Sequence, residues 1–110
     1  MKLLIVDDEE KIRDMIRKYA VFEGYEVDEA RDGMEAVTKS RAEAYDMIIM
    51  DVMMPELDGF SAVKEIRKTS SVPVVMLSAR GEEYDRIHGF ELEIDDYVVK
   101  PFSPRELLMR

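Results

Sequence analysis

Four apolar residues in an unbroken row, Met47 to Met50, run directly into the carboxylate of Asp51. A strand with one face in water alternates apolar and polar side chains. An unbroken run therefore points to a strand covered on both faces, as in a parallel sheet packed between helices. Leu3 to Val6 repeats the pattern and ends at Asp7-Asp8-Glu9-Glu10. Val72 to Leu77 repeats it again and ends at Ser78, with Pro73 near the start, where a missing backbone donor is tolerated. Two weaker strands complete the set. Tyr25 to Ala30 alternates, as suits a more exposed place toward the sheet edge, and Tyr97 to Val99 is short and ends at Lys100-Pro101.

Between the strands the apolar spacing changes to the helical period. Ile12, Met15, Ile16, Tyr19 and Ala20 lie on one face of a first helix, which Gly24 is set to end. Asp8 is its candidate N-cap, and Glu9 and Glu10 favour the positive end of the helix dipole. Asp32-Gly33-Met34-Glu35 has the D-x-x-E form of a capping box. Met34, Ala36, Val37 and Ser40 then supply the inner face of a second helix reaching to about Ala44. Asp58-Gly59 opens a third, carried by Phe60, Val63 and Ile66 and broken by Thr69-Ser70-Ser71. Glu82 to Leu92 forms a fourth, with Tyr84, Ile87 and Phe90 inward. Ser103-Pro104-Arg105-Glu106 opens a fifth, because Ser can cap, Pro suits the first turn and Glu completes the box. Helices average about three turns, so this last one is expected to be cut short and the natural protein to continue.

At 110 residues, 46% of them hydrophobic, the chain is sized for one domain, residues 1–110, around one core. Its formal charge of −9 repels phosphate backbones, so any DNA contact requires another module. The absence of cysteine excludes disulfides, thiolate metal sites and thiol nucleophiles, and fits a reducing compartment. The apolar run at Leu3 to Val6 is too short for a signal peptide or a membrane span, so a soluble, cytoplasmic protein is expected. The nine methionines read as core filler, and His88, between Ile87 and Gly89, as a helix-surface residue without a role.

Five strands alternating with helices imply a doubly wound α/β parallel sheet with right-handed crossovers. Ligands of such sheets gather beyond the carboxyl ends of the strands where the winding switches, between strands one and three in the order 2-1-3-4-5. Those two strands end in Asp7-Asp8 and Asp51, strand four in Ser78 and strand five in Lys100. Three close carboxylates repel one another unless a cation sits among them. Mg²⁺ suits them, since it takes oxygen ligands and binds one or two carboxylates plus a phosphate. Asp51 could then act as nucleophile toward a phosphoryl group, whose oxygens the metal, Lys100 and Ser78 would hold. Taken singly, Asp51 reads more readily as a loop cap, Ser78 as a loop residue and Lys100 as a surface lysine, and Tyr97 can be a packed aromatic. Their convergence from four strands is what points to a site.

These residues together resemble the receiver domain of a two-component response regulator, over the whole chain. The resemblance lies in Asp7-Asp8, in Asp51-Val52-Met53-Met54-Pro55 with Asp58-Gly59, in Ser78-Ala79 and in Lys100-Pro101. It implies a flavodoxin-like fold and an Asp51 that accepts phosphate from a sensor histidine kinase. It also implies Mg²⁺ held by Asp8, Asp51 and the Met53 backbone carbonyl, with Asp7 acting through water. Ser78 and Tyr97 would be the switch pair, and the Lys100-Pro101 bond cis. The stretch from Arg80 is most similar to the subfamily with a C-terminal winged-helix DNA-binding domain. That subfamily dimerises on phosphorylation through the fourth helix, fifth strand and fifth helix. By position, Arg86 would pair with the other copy's Glu106, and Asp96 with its Arg110. Exposed pairs of this kind contribute about 0–1 kcal/mol each, enough to select a register. The chain departs from the family at Glu93-Ile94, where Gly-Ala is usual, so the fourth helix is expected to end differently.

Three other readings use parts of the pattern. An acid phosphatase with an aspartyl nucleophile would want a second acid two residues on, where Met53 stands. A flavin-binding module of the same strand order would want a Ser-, Thr- or Gly-rich loop where the four acids lie. A receiver-like interaction module that is never phosphorylated has little use for Asp7, Asp8, Asp51, Ser78 and Lys100 together.

Overall fold

A computed structural model describes residues 1–78, except the Ser78 side chain, and the backbone of residues 96–99. The elements are β1 (Lys2–Val6), α1 (Glu10–Phe22), β2 (Glu26–Ala30), α2 (Gly33–Ala42), β3 (Met47–Asp51), α3 (Gly59–Ile66), β4 (Val74–Ser78) and β5 (Asp96–Val99). All five strands are parallel in the order β2-β1-β3-β4-β5, the doubly wound arrangement expected. The fourth and fifth helices and the Lys100-Pro101 bond of the sequence reading lie outside the described residues.

The unbroken apolar runs behave as argued. Leu3 to Val6 and Ile48 to Met50 are fully buried, and alternate residues serve opposite faces. Leu4, Val6, Ile48, Met50, Val74 and Met76 pack with α2 and α3. Leu3, Ile5, Ile49, Val75 and Leu77 pack with Ile16 and Ala20 of α1. Strand β2 lies at the edge and is only half-buried until Ala30, as its weak alternation implied.

Helix boundaries follow local chemistry. The Asp32 carboxylate accepts the Glu35 amide at 2.8 Å, and Asp58 accepts the Ser61 amide at 2.8 Å, so both expected caps form. Helix α1 ends in two crossed bonds, Tyr25 N–H to the Ala20 carbonyl and Gly24 N–H to that of Val21. The φ of +95° at Gly24 permits this left-handed ending.

Four expectations need correction. Asp8 does not cap α1: the N-cap is Glu9, without a side-chain cap bond, and the Glu9 amide instead donates to Asp7 Oδ1 at 2.9 Å. Met15 and Met34 do not face the core, standing 41% and 56% exposed, because Ile16 with Ala20 and Ala36 with Val37 already fill the two interfaces. Helix α2 stops at Ala42, before Ala44. Pro73 precedes β4, and its carbonyl takes the Ile48 amide at the point where its missing N–H costs no ladder bond.

The amino end of the sheet is closed by a polar network. Tyr45 Oη donates to Asp28 at 2.7 Å, and Lys2 Nζ lies 3.6 Å from Asp28 and beside Glu43. Burial and the Asp28 hydrogen bond push the Tyr45 phenol up. The phenol in turn, with Lys2, holds the Asp28 carboxyl below its usual range.

Candidate functional site

Strand register alone assembles the opposite end. Val6 pairs with Met50, so Asp7 follows level with Asp51; Asp51 pairs with Leu77, and Ser78 with Val99, the residue before Lys100. Ligand oxygens of Asp7, Asp8 and Asp51 all lie within 4.8 Å of one another. Asp7 is fully buried, Asp51 is 5% exposed and Asp8 faces solvent. Two carboxylates thus point into a nearly dry corner that a third closes from the water side.

Each acid is fixed by its surroundings. Asp7 receives the Glu9 amide on its carboxylate and the Arg13 guanidinium on its backbone carbonyl, at 2.7 Å. Arg13 is itself held by Glu29 of β2 at 3.2 Å, with its side chain only 11% exposed. A cation is therefore locked against the backbone beneath the acids, where it offsets part of their mutual repulsion. Asp51 ends β3, and the next residue, Val52, gives its amide to Leu77 and takes that of Gly59 at 2.8 Å. A Cβ added at Gly59 would fall 3.0 Å from the Asp51 carbonyl carbon and closer still to its oxygen. Only glycine lets α3 begin so near the acid it supports.

The donor set suits a hard divalent cation. Three carboxylates able to bring an oxygen each to within 4.8 Å of the others match a cation that takes oxygen ligands. A cleft of about 570 Å³ opens elsewhere, lined by Arg41, Glu43, Tyr45, Thr69 and Ser70. It gathers no comparable set of carboxylates.

Comparison with known proteins settles the family. The profile described as response regulator receiver domain matches residues 3–110. The chain is a response regulator receiver domain. The transcriptional regulatory protein ResD of Bacillus subtilis is 49% identical to it over 109 residues, which are 99% of this chain and 45% of ResD. The probable transcriptional regulator ycf27 of Cyanophora paradoxa is 50% identical, over 99% of this chain and 46% of its own. This receiver domain thus spans about half the length of the curated relatives it matches. Among solved structures, the receiver domain of Francisella response regulator 1452 superposes with a TM-score of 0.93 at 40% identity, covering 99% of this chain and 91% of that one. The chemotaxis protein CheY4 of Vibrio cholerae superposes with a TM-score of 0.93 at 38% identity, covering 98% and 92%.

The structure brings together Asp7, Asp8 and Asp51 among the residues singled out from sequence. Met53 follows in the β3–α3 loop, with its side chain 63% exposed. Ser78, Asp96 and Tyr97 are placed by backbone only, at the end of β4 and the start of β5. Their side chains, with Arg86, Lys100, Glu106 and Arg110, lie outside the described residues. Sequence reasoning missed Arg13 and its partner Glu29. No local signal marks them, because the ion pair joins α1 to β2 across 16 residues.

Proposed function

We propose that residues 1–110 act as one receiver domain that takes a phosphoryl group from a histidine kinase onto Asp51. The observation carrying this reading is a nearly buried carboxylate at the winding switch point with two further carboxylates within 4.8 Å. An Asp51 carboxylate oxygen attacks phosphorus, the bond from phosphorus to the kinase histidine nitrogen breaks, and that nitrogen leaves with its electron pair. Asp8, Asp51 and the Met53 carbonyl would hold Mg²⁺, with Asp7 acting through water. Bound there, Mg²⁺ offsets the charge on the acids and the incoming phosphoryl oxygens. Lys100 and Ser78 take the remaining oxygens, a placement supported by the level at which β4 and β5 end. The domain promotes only its own phosphorylation and dephosphorylation.

The output follows from Ser78 moving to the phosphate and Tyr97 turning inward behind it. Phosphorylated copies pair through the fourth helix, β5 and the fifth helix, with Arg86 against Glu106 and Asp96 against Arg110. An attached winged-helix domain then binds DNA in the cytoplasm. The names of ResD and ycf27, and the greater length of both, support this output. Among the described residues no helix is long and apolar enough to cross a membrane. To move an active-to-inactive ratio from 1:99 to 99:1, the phosphate must favour the active arrangement by about 5.5 kcal/mol.

Loading with radiolabelled acetyl phosphate across a Mg²⁺ series tests the assignment. Label should saturate with Mg²⁺ in the parent, and Asp8→Asn should need about tenfold or more additional metal. Labelling that ignores Mg²⁺ would contradict it. Light scattering with and without acetyl phosphate tests the output, since Arg110→Glu should weaken the phosphorylated dimer.

A further inference from the structure

Gly33, at the start of α2, does no chemistry, yet it touches the loop on which part of the metal site hangs. A Cβ added there would lie 2.9 Å from the carbonyl carbon and from the Cβ of Leu57, and closer still to the Leu57 oxygen. Resting on the reading of the acidic corner as a Mg²⁺ and phosphate site, we propose that Gly33 is a positioning residue for it. Its bare Cα seats the Leu57 carbonyl and so sets the path of loop 52–58, which carries the Met53 carbonyl.

The loop has few other ways to choose its path. Its two ends are tied together by the Gly59 amide on the Val52 carbonyl, and Val52 is tied to β4 through Leu77. Between them the Leu57 amide closes a three-residue turn onto the Pro55 carbonyl at 2.8 Å. The central residue of that turn, Glu56, has φ +67°, the rarer and strained hand for a side chain other than glycine. Such a turn persists only where its surroundings hold it. Leu57 packs against the core cluster, and its carbonyl rests on Gly33.

The support cannot easily retreat. Ala36 and Val37, one turn further along α2, are buried between the sheet and α3. The first turn is fixed by the Asp32 carboxylate on the Glu35 amide and the Asp32 carbonyl on that of Ala36. A methyl group at position 33 therefore moves the loop rather than the helix. Because the loop is closed at both ends, displacement at Leu57 carries to Met53, four residues earlier. The link runs from the β2–α2 junction to the metal site through one backbone contact.

The test compares Gly33→Ala with Val37→Ala, a core truncation on the same helix that leaves the loop contact intact. Each variant's Mg²⁺ dissociation constant is read from amide NMR shifts on fully folded protein, and its stability from urea denaturation. Gly33→Ala should weaken Mg²⁺ binding by about tenfold, the scale usual for groups that orient a metal ligand. Val37→Ala should lose stability and keep the parent's affinity. Equal affinity in Gly33→Ala and parent, or equal weakening in both variants, would overturn the inference while leaving the phosphate site standing. A parent that binds no Mg²⁺ would overturn the site itself. If Gly33→Ala does not fold, hydrogen exchange in the parent decides: Mg²⁺ should slow the Glu35 and Ala36 amides along with those of the loop. Unchanged exchange at those two amides, with the loop protected, would overturn it.

Discussion

Gly59 stands where any side chain would strike the backbone carbonyl of Asp51. Gly59→Ala should destabilise the domain by about 1–3 kcal/mol, as overpacking does, and slow acetyl phosphate labelling beyond what that loss explains. Urea denaturation and the labelling rate check the two halves. Arg13 makes a second residue-scale prediction. Its guanidinium serves both the Asp7 carbonyl and Glu29, so Arg13→Gln should cost about 1.5–3 kcal/mol in the same denaturation assay. These residues differ in how far they could be read in advance. Asp7 and Asp51 were legible because each interrupts an apolar run, and a charge at the end of a buried strand has few bland explanations. Gly33, Gly59 and Arg13 were not, because their roles are close approaches and pairings between elements far apart in sequence.

Elements were legible where one residue type solves a local problem. Asp32 and Asp58 stand three residues before the amides they cap, and Asp58→Ala should cost about 1 kcal/mol by urea denaturation. Four consecutive acids hid the start of α1. Asp7 takes the Glu9 amide through its own carboxylate, the N-cap falls at Glu9 rather than Asp8, and Asp8 stays exposed beside the site. Met15 and Met34 matched the helical period, but periodicity names a stripe and not its width, and smaller neighbours filled both interfaces. At the amino edge of β1 and β2, the Tyr45 hydroxyl first, then Lys2, hold the Asp28 carboxyl below its usual range. As pH falls, the unfolded chain therefore takes up this proton first. The stabilisation is complete above about pH 4 and is lost as pH falls through the lower folded value. Asp28→Asn should be less stable than the parent at about pH 7, with the gap closing as the pH drops below about 4. Denaturation curves at the two pH values check the sign.

Across the whole molecule, strand order and register do most of the functional work. Winding β3 beside β1, with Val6 level with Met50, delivers acids from two separate segments to one corner without any contact designed between them. This was readable because parallel strands joined by right-handed crossovers leave few topologies, and the order 2-1-3-4-5 puts the acidic ends of strands one and three at the switch point. The same geometry makes metal binding a stability term. Mg²⁺ at a hundred times its dissociation constant should stabilise the parent by about 2.7 kcal/mol, read as a higher melting temperature, and Asp8→Asn should lose about half of that gain or more at the same concentration. The most direct test of the account is the intact mass of parent and Asp51→Asn after incubation with Mg²⁺ and acetyl phosphate. The account predicts one added phosphoryl group in the parent, none in the variant and none in either once the metal is chelated. An unmodified parent, or a variant that gains the same mass, would contradict it.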